Sequence, residues 1–110
     1  LQDDRPWSWF RLYTDNEQCT VKVIEVKPGE ALSLQRHRNR DELWVALDAG
    51  LVVTIDDDTV VAERGQEFFV PRGSVHRVTG GDQPARFLEV AFGEFDEDDI
   101  ERLEDRYGRG

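Results

Sequence analysis

The chain has 110 residues, which suits one ordinary domain, and it carries 24 acidic against 14 basic side chains for a formal net charge of −10. This charge repels phosphate backbones and anionic membrane surfaces, so we expect neither nucleic acid nor a membrane as a partner. Because Cys19 is the only cysteine, the sequence excludes an internal disulfide and a thiolate metal cluster, and any bound metal must have nitrogen and oxygen ligands.

The opening residues, 1–17, contain aromatic side chains but no alternating apolar pattern before Phe10. They are predicted to form an arm that packs over the rest of the domain. Trp7 and Trp9 are interpreted as packing residues, since aromatic side chains mainly contribute buried area. No apolar run in the sequence has the length of a signal segment or a membrane span, which predicts a cytoplasmic protein.

Residues 18–93 are divided by turn residues into short runs rich in β-branched and aromatic side chains. Closely spaced runs of this kind, with few candidate helices among them, are typical of an all-β sandwich or barrel. A jelly-roll barrel of about eight strands is the nearest standard architecture. The predicted strands are 19–26, 31–35, 43–47, 51–55, 59–63, 67–70, 75–79 and 86–92.

The acidic tail has a different pattern from the barrel region. Ile100, Leu103 and Tyr107 recur at helical spacing behind a run of acidic residues, and Gly108 follows them. Acidic side chains stabilise the first turn of a helix, and glycine commonly follows the last turn. The pattern predicts a short closing helix over residues 96–107, with the acidic run 94–99 as its solvated start.

Two histidines, His37 and His76, are the strongest candidates for chemistry. In an extended segment alternate side chains face the same way, so Gln35 and His37 can point together into a barrel interior. Glu42 follows across a tight connection, and His76 can close the site from a distant strand. First-row divalent ions accept imidazole, carboxylate and amide oxygen together, so these four residues are predicted to bind one divalent metal ion.

The four candidate ligands lie within two spaced motifs. These motifs are Gly29-x5-Gln35-x-His37-x4-Glu42 and Gly65-x5-Pro71-x-Gly73-x2-His76. They resemble the two motifs of the cupin superfamily, with Gln35 in the place often taken by a first histidine. The resemblance implies a small cupin jelly-roll barrel.

A narrower resemblance extends over nearly the whole chain. Its segments are Arg5-Pro6-Trp7, Val26-Lys27-Pro28-Gly29-Glu30, Leu32-Ser33-Leu34-Gln35, Arg40-x-Glu42-x-Trp44, Pro71 to Arg77 and Glu104 to Arg109. They resemble the mannose-6-phosphate isomerase domain of type II enzymes, usually the C-terminal part of a protein whose larger part is a mannose-1-phosphate guanylyltransferase. The guanylyltransferase part is absent from this sequence, so we expect a stand-alone relative.

The narrower resemblance also implies roles for individual residues. It implies an active-site role for Arg40, and metal ligation by Gln35, His37, Glu42 and His76, usually to zinc, with manganese, nickel or iron as alternatives. The family's segment is richer in histidine than this one, and the positions that differ are Arg38, Asn39 and Leu43. Because groups around a metal's ligands orient them and tune the metal's acidity, these differences bear on the reaction more than on the metal.

The implied reaction interconverts mannose 6-phosphate and fructose 6-phosphate. It needs an electrophile for the enediolate oxygen, which a metal ion and Arg40 can supply, and a base that moves a proton between C2 and C1. The base stays open among a metal-bound water, Glu67, Glu89 and Lys22. The candidate cations for the phosphate are Arg36, Arg38, Arg40, Lys22 and Arg77, of which alternation places Arg36 and Arg38 opposite the metal ligands.

Three functions follow as hypotheses. A metal-dependent sugar-phosphate isomerase is favoured by the resemblance. A non-catalytic cupin that binds a sugar or sugar phosphate is favoured by the missing histidines and the missing partner domain. An iron or manganese oxygenase uses the same scaffold, although Gln35 and the closing sequence favour the isomerase branch. We expect a homodimer in each case, because the exposed edges of a jelly roll favour burial.

Overall fold

The computed structural model describes residues 2–94, 96 and 98–104 of the chain. Within these ranges the protein forms strands and turns without a helix, so the predicted all-β fold is confirmed. No helix in the described part has the length and apolarity that crossing a bilayer requires. The strands are β1 (Gln2–Asp4), β2 (Trp9–Arg11), β3 (Cys19–Val26), β4 (Leu34–Arg36), β5 (Glu42–Ala46), β6 (Val52–Ile55), β7 (Asp58–Val61), β8 (Glu67–Val70), β9 (Val75–Thr79), β10 (Ala85–Phe92) and β11 (Glu101–Glu104).

Two antiparallel sheets make the body of the domain. The four-stranded sheet has the order β3-β10-β5-β8, and the five-stranded sheet has the order β11-β4-β9-β6-β7. Strands that are distant in sequence are neighbours in both sheets, as in a jelly roll. Alternating apolar side chains of the two sheets meet in one core, which contains Val26, Trp44, Val53 and Val78 among others.

The core occupies only part of the space between the sheets. A second group of buried side chains is polar or charged: Ser33, His37, Arg40, Glu42, Ser74, His76 and Glu89. The central strand β5 supplies both groups, because all five of its residues are buried and Glu42 precedes the core residue Trp44. The fold therefore places a buried polar cluster beside its apolar core.

The predicted closing helix is wrong for the residues that the structure describes. Asp96 closes a turn instead, accepting hydrogen bonds from the backbone of Asp98 and Asp99, and Glu101–Glu104 then form β11. This strand pairs with β4, and Glu101 binds Arg36 at 2.5 Å. Pairing with a distant strand overrides the local helical pattern. Residues 105–107 of the predicted helix lie outside the described residues.

The N-terminal arm forms a hairpin of β1 and β2. Trp7 and Trp9 are 79% and 67% exposed, so their interpretation as packing residues is wrong. The arm is joined to the body at Arg11, whose guanidinium lies 3.3 Å from Glu67 on β8. Aromatic content alone does not indicate whether a hairpin packs on its own domain.

Truncation of one core side chain tests the assignment of the core. Leu51 is 1% exposed, and Leu51→Ala is expected to lower the free energy of unfolding by about 2–5 kcal/mol, because it removes buried methyl groups and leaves a cavity. The matched control is Val61→Ala at a position 64% exposed, where a loss under about 1 kcal/mol is expected. Urea unfolding measures both, and equal losses would contradict this core.

Candidate functional site

A row of side chains crosses the inner face of the five-stranded sheet. Arg102 on β11 is paired directly with Gln35 on β4, and Gln35 is paired directly with His76 on β9. Directly opposed residues of neighbouring strands project on the same face of a sheet. All three side chains line a single cavity of about 210 Å³.

A second row crosses the inner face of the four-stranded sheet. Lys22 on β3 is paired with Glu89 on β10, and Glu89 is paired with Trp44 on β5. These three side chains line the same cavity from the opposite wall. The two sheets thus hold six chemically distinct side chains around one space. Its other lining residues include Ser33, Arg40, Arg77 and Ile100.

Three of the four predicted metal ligands come together beside this cavity. Ligand atoms of His37, Glu42 and His76 all lie within 4.8 Å of one another, and the three residues are 3%, 1% and 5% exposed. His37 Nε2 is 3.5 Å from Glu42 Oε2, and the two imidazole centroids are 5.0 Å apart. The arrangement is a buried group that could hold a metal ion.

The fourth predicted ligand, Gln35, is the ladder partner of His76 and lines the cavity. Its Nε2 donates to Ser33 Oγ at 2.6 Å. This hydrogen bond uses the amide nitrogen, so the amide oxygen is the atom that Gln35 can offer to a metal.

Backbone carbonyl oxygens orient both imidazole rings. His37 Nδ1 lies 2.6 Å from the carbonyl oxygen of Asp99, and His76 Nδ1 lies 3.3 Å from that of Ser74. A carbonyl oxygen only accepts, so each neutral ring carries its proton on Nδ1 and keeps the Nε2 lone pair. Hydrogen bonds of this kind are the usual support for metal-binding histidines.

Asp99 also fixes the loop that carries His37. Its carboxylate accepts hydrogen bonds from the backbone N–H groups of Arg38 and Asn39, each at 2.9 Å. The bond from Arg38 is the main cause that lowers the pKa of Asp99. The acidic run 94–99, interpreted from sequence as a solvated helix start, therefore contains a residue that supports the site. No local sequence signal marks this contact, since it spans about sixty positions.

Glu42 is held as an anion at the centre of the cluster. Its Oε1 accepts from Trp44 Nε1 at 2.9 Å, and its Oε2 accepts from Arg40 Nε at 2.8 Å. Burial alone would raise the pKa of Glu42, but the neighbouring His76 ring, the Trp44 N–H and Arg40 together hold it below its ordinary value. Burial also lowers the pKa of His76, which favours the neutral imidazole that binds metals.

Arg40, to which the resemblance assigns an active-site role, contacts the cluster directly. Its Nη2 lies 3.1 Å from His37 Nε2, and its Nε binds Glu42. A metal ion at this place would take the His37 lone pair that Arg40 contacts here. With one anionic carboxylate, two Nε2 lone pairs and an amide oxygen, the donor set fits a first-row divalent ion.

Of the side chains considered as bases, Glu89 and Lys22 line the cavity, whereas Glu67 does not and lies against Arg11. Glu89 Oε2 is buried and has no hydrogen-bond partner within the described ranges, and Lys22 Nζ is 3.6 Å away. Burial, and then the charge of Glu42, raise the pKa of Glu89 to about 7.

The candidate phosphate cations divide between two places. Arg36 and Arg38 line a separate surface depression, which Arg102 also lines, and neither of them lines the cavity. Lys22, Arg40 and Arg77 line the cavity. Arg102 joins them there, although the prediction of a helix over residues 96–107 obscured it.

The positions that differ from the family pattern do not line the cavity. Arg38 lies in the separate depression, and Asn39 is absent from the cavity wall. Leu43 pairs with Val90 and alternates with Glu42 and Trp44, so it projects from the other face of its sheet. These differences therefore leave the cavity wall itself unaltered.

The chain matches a known protein family. Residues 2–105 match the family described as mannose-6-phosphate isomerase C-terminal. The alginate biosynthesis protein AlgA of Pseudomonas aeruginosa is 43% identical over 107 residues, which are 96% of this chain and 22% of that protein. The mannose-1-phosphate guanylyltransferase of Escherichia coli is 38% identical over 107 residues, again 96% of this chain and 22% of that protein. The chain thus spans about a fifth of the length of these relatives.

A solved structure supports the same assignment at the level of the fold. The cupin domain of Schizosaccharomyces pombe Cnp3 superposes with a TM-score of 0.65 at 18% identity, covering 76% of this chain and 58% of that one. Identity this low shows the fold alone. Together with the family match, it confirms the resemblance stated from the motifs: the chain belongs to the mannose-6-phosphate isomerase C-terminal family and has the cupin fold.

Proposed function

We propose that the chain is a metal-dependent aldose–ketose isomerase that interconverts mannose 6-phosphate and fructose 6-phosphate. The observation that carries this proposal is the buried cluster of His37, Glu42 and His76 beside a cavity that also holds Glu89. The family match supports the choice of substrate. The cavity of about 210 Å³ is small, which favours a monosaccharide over a larger ligand.

The proposed cofactor is one zinc ion held by Gln35, His37, Glu42 and His76, with manganese, nickel or iron as alternatives. Zinc accepts imidazole nitrogen and carboxylate oxygen at one site. When bound, the metal would act as a Lewis acid that polarises the oxygen on the reacting carbon. The protein's part is to hold both imidazoles with Nε2 inward and to keep Glu42 anionic.

Proton transfer is assigned to the Glu89 carboxyl group. It lies beside Trp44 on the same wall of the cavity, it is buried, and its Oε2 has no hydrogen-bond partner in the described part of the chain. A base must reach hydrogen-bond distance of the proton that it removes, and a group on the cavity wall can contact a sugar bound in the cavity. Arg40, beside the cluster, places positive charge where the enediolate oxygen develops negative charge.

A sugar-binding protein without activity is the second candidate. It was suggested by the differences at Arg38, Asn39 and Leu43, but none of these residues lines the cavity. The structure thus offers this alternative less support than the sequence does. Turnover decides between the two, because a binding protein would hold metal and mannose 6-phosphate without converting it.

Activity and its dependence on Glu89 form the main test. The zinc-loaded protein is expected to convert mannose 6-phosphate to fructose 6-phosphate, and Glu89→Gln is expected to lower kcat about 100-fold or more, because the amide cannot accept the proton. The measurement is a coupled assay of fructose 6-phosphate with metal content checked for each variant.

The matched control for Glu89→Gln is Glu67→Gln. Glu67 is a carboxylate outside the cavity, held by Arg11, and its loss should leave kcat unchanged. Absence of turnover in the zinc, manganese, nickel and iron forms alike would overturn the isomerase proposal. Turnover that survives in Glu89→Gln would remove Glu89 from the mechanism.

Asp99 provides a test of the metal site that does not depend on activity. Asp99→Ala releases the backbone of Arg38 and Asn39 and loosens His37, so zinc affinity is expected to fall about 10–100-fold. Competition with a chromophoric chelator measures this affinity. The neighbouring Asp98→Ala removes an exposed carboxylate and should bind zinc like the parent chain. Equal affinity of the two variants would contradict the supporting role of Asp99.

The proposed assembly is a homodimer that covers the outer edge of β3. In the described part of the chain β3 pairs only with β10, and its outward side chains Val21 and Val23 are 54% and 55% exposed. Exposed edge strands with apolar side chains favour association. Light scattering is expected to give twice the chain mass, and Val21→Lys with Val23→Lys should give the monomer mass. A parent chain of monomer mass at 0.1 mM would refute the dimer.

A further inference from the structure

We propose that Arg102 forms an anion-binding end of the cavity that recognises the phosphate group of a sugar phosphate. This inference rests on the proposed function, because it names how the same cavity selects its substrate.

The position of Arg102 follows from strand pairing. Its ladder partner is Gln35, whose other ladder partner is His76, so Arg102 lies two strands away from a candidate metal ligand on the same inner face. Neighbouring strands are about 4.8 Å apart, which separates Arg102 from His76 by about 10 Å across the sheet. A hexose 6-phosphate likewise carries its reacting carbons at one end of the carbon chain and its phosphate at the other.

The guanidinium of Arg102 has an unused donor. Its Nε is buried and has no hydrogen-bond partner among the described residues. Arginine stays protonated in proteins, and a buried charged donor without an acceptor costs free energy. A phosphate oxygen would satisfy this donor, since a guanidinium presents parallel N–H groups that match phosphate geometry.

The other cations near the cavity have assigned partners. Arg40 Nε binds Glu42 at 2.8 Å, and Lys22 Nζ lies 3.6 Å from Glu89. Arg77 Nε donates to the carbonyl oxygen of Leu32 at 2.9 Å, and Arg77 alternates with His76 along β9, so its side chain projects from the opposite face of the sheet. Among the described residues that line the cavity, Arg102 is thus the arginine whose Nε still needs an acceptor.

Arg36 lies outside the cavity and has a carboxylate partner of its own. Arg36 binds Glu101 at 2.5 Å and lies in the separate depression. Glu101 alternates with Arg102 along β11, so the acidic neighbour projects away from the cavity. In a chain with a net charge of −10, a phosphate needs such a locally positive place.

Calorimetric titration of the zinc-loaded protein tests the assignment. The probes are mannose 6-phosphate, mannose and inorganic phosphate. Arg102→Gln is expected to weaken binding of mannose 6-phosphate and phosphate about 10–100-fold, the loss of a charged hydrogen bond, and to leave mannose binding and zinc content unchanged. Arg102→Lys should recover only part of the affinity, because an ammonium lacks the paired N–H groups. Arg36→Gln is the matched control and should bind like the parent chain.

Each outcome separates this inference from the proposed function. Equal weakening of mannose and mannose 6-phosphate by Arg102→Gln would assign a structural role to Arg102 and overturn the inference, as would unchanged phosphate binding. Binding that depends on Arg102 without any turnover would support the anion site while the isomerase proposal fails. Turnover whose KM is unaffected by Arg102→Gln would leave the isomerase standing without this anion site.

Discussion

One buried negative charge organises the polar half of this domain. The carboxylate of Glu42 lies on the central strand β5, where transfer from water costs free energy unless its oxygens are satisfied. Trp44 and Arg40 each donate to one of its oxygens, and these contacts help to keep it anionic. The side chains that stabilise this buried carboxylate also line the cavity. A bound metal ion would stabilise it further, so metal binding and the stability of the polar half are linked.

Much of the fold was accessible from local patterns. Alternating runs predicted the strands of the barrel, because strands such as β9 bury every second side chain, although β5 is buried on both faces. The spacing of Gln35 and His37 predicted two side chains on one face, and the structure places His37, Glu42 and His76 together. Residues within one extended segment share a geometry that sequence spacing alone specifies.

The errors lie where distant segments decide the structure. Apolar residues after Asp96 do recur at helical spacing. The segment nevertheless forms a strand, because it pairs with the edge of β4. The support that Asp99 gives to His37, and the inward direction of Arg102, depend on that pairing and have no local signature. The small number of histidines near the first motif suggested an altered site. Leu43, one of the positions that differ, is adjacent to Glu42 in sequence but lies on the opposite face of the sheet.

The segment from Asp99 to Arg102 contributes both to the candidate metal site and to the cavity wall. Asp99 holds His37 and its loop, whereas Arg102 projects into the cavity from the four-residue strand β11. A ligand that immobilises Arg102 would also hold Asp99 against His37, and a metal on His37 would in turn favour the docked strand. Thermodynamic linkage makes such an effect reciprocal. One short edge strand can therefore make the affinities for ion and sugar phosphate depend on each other by the same factor.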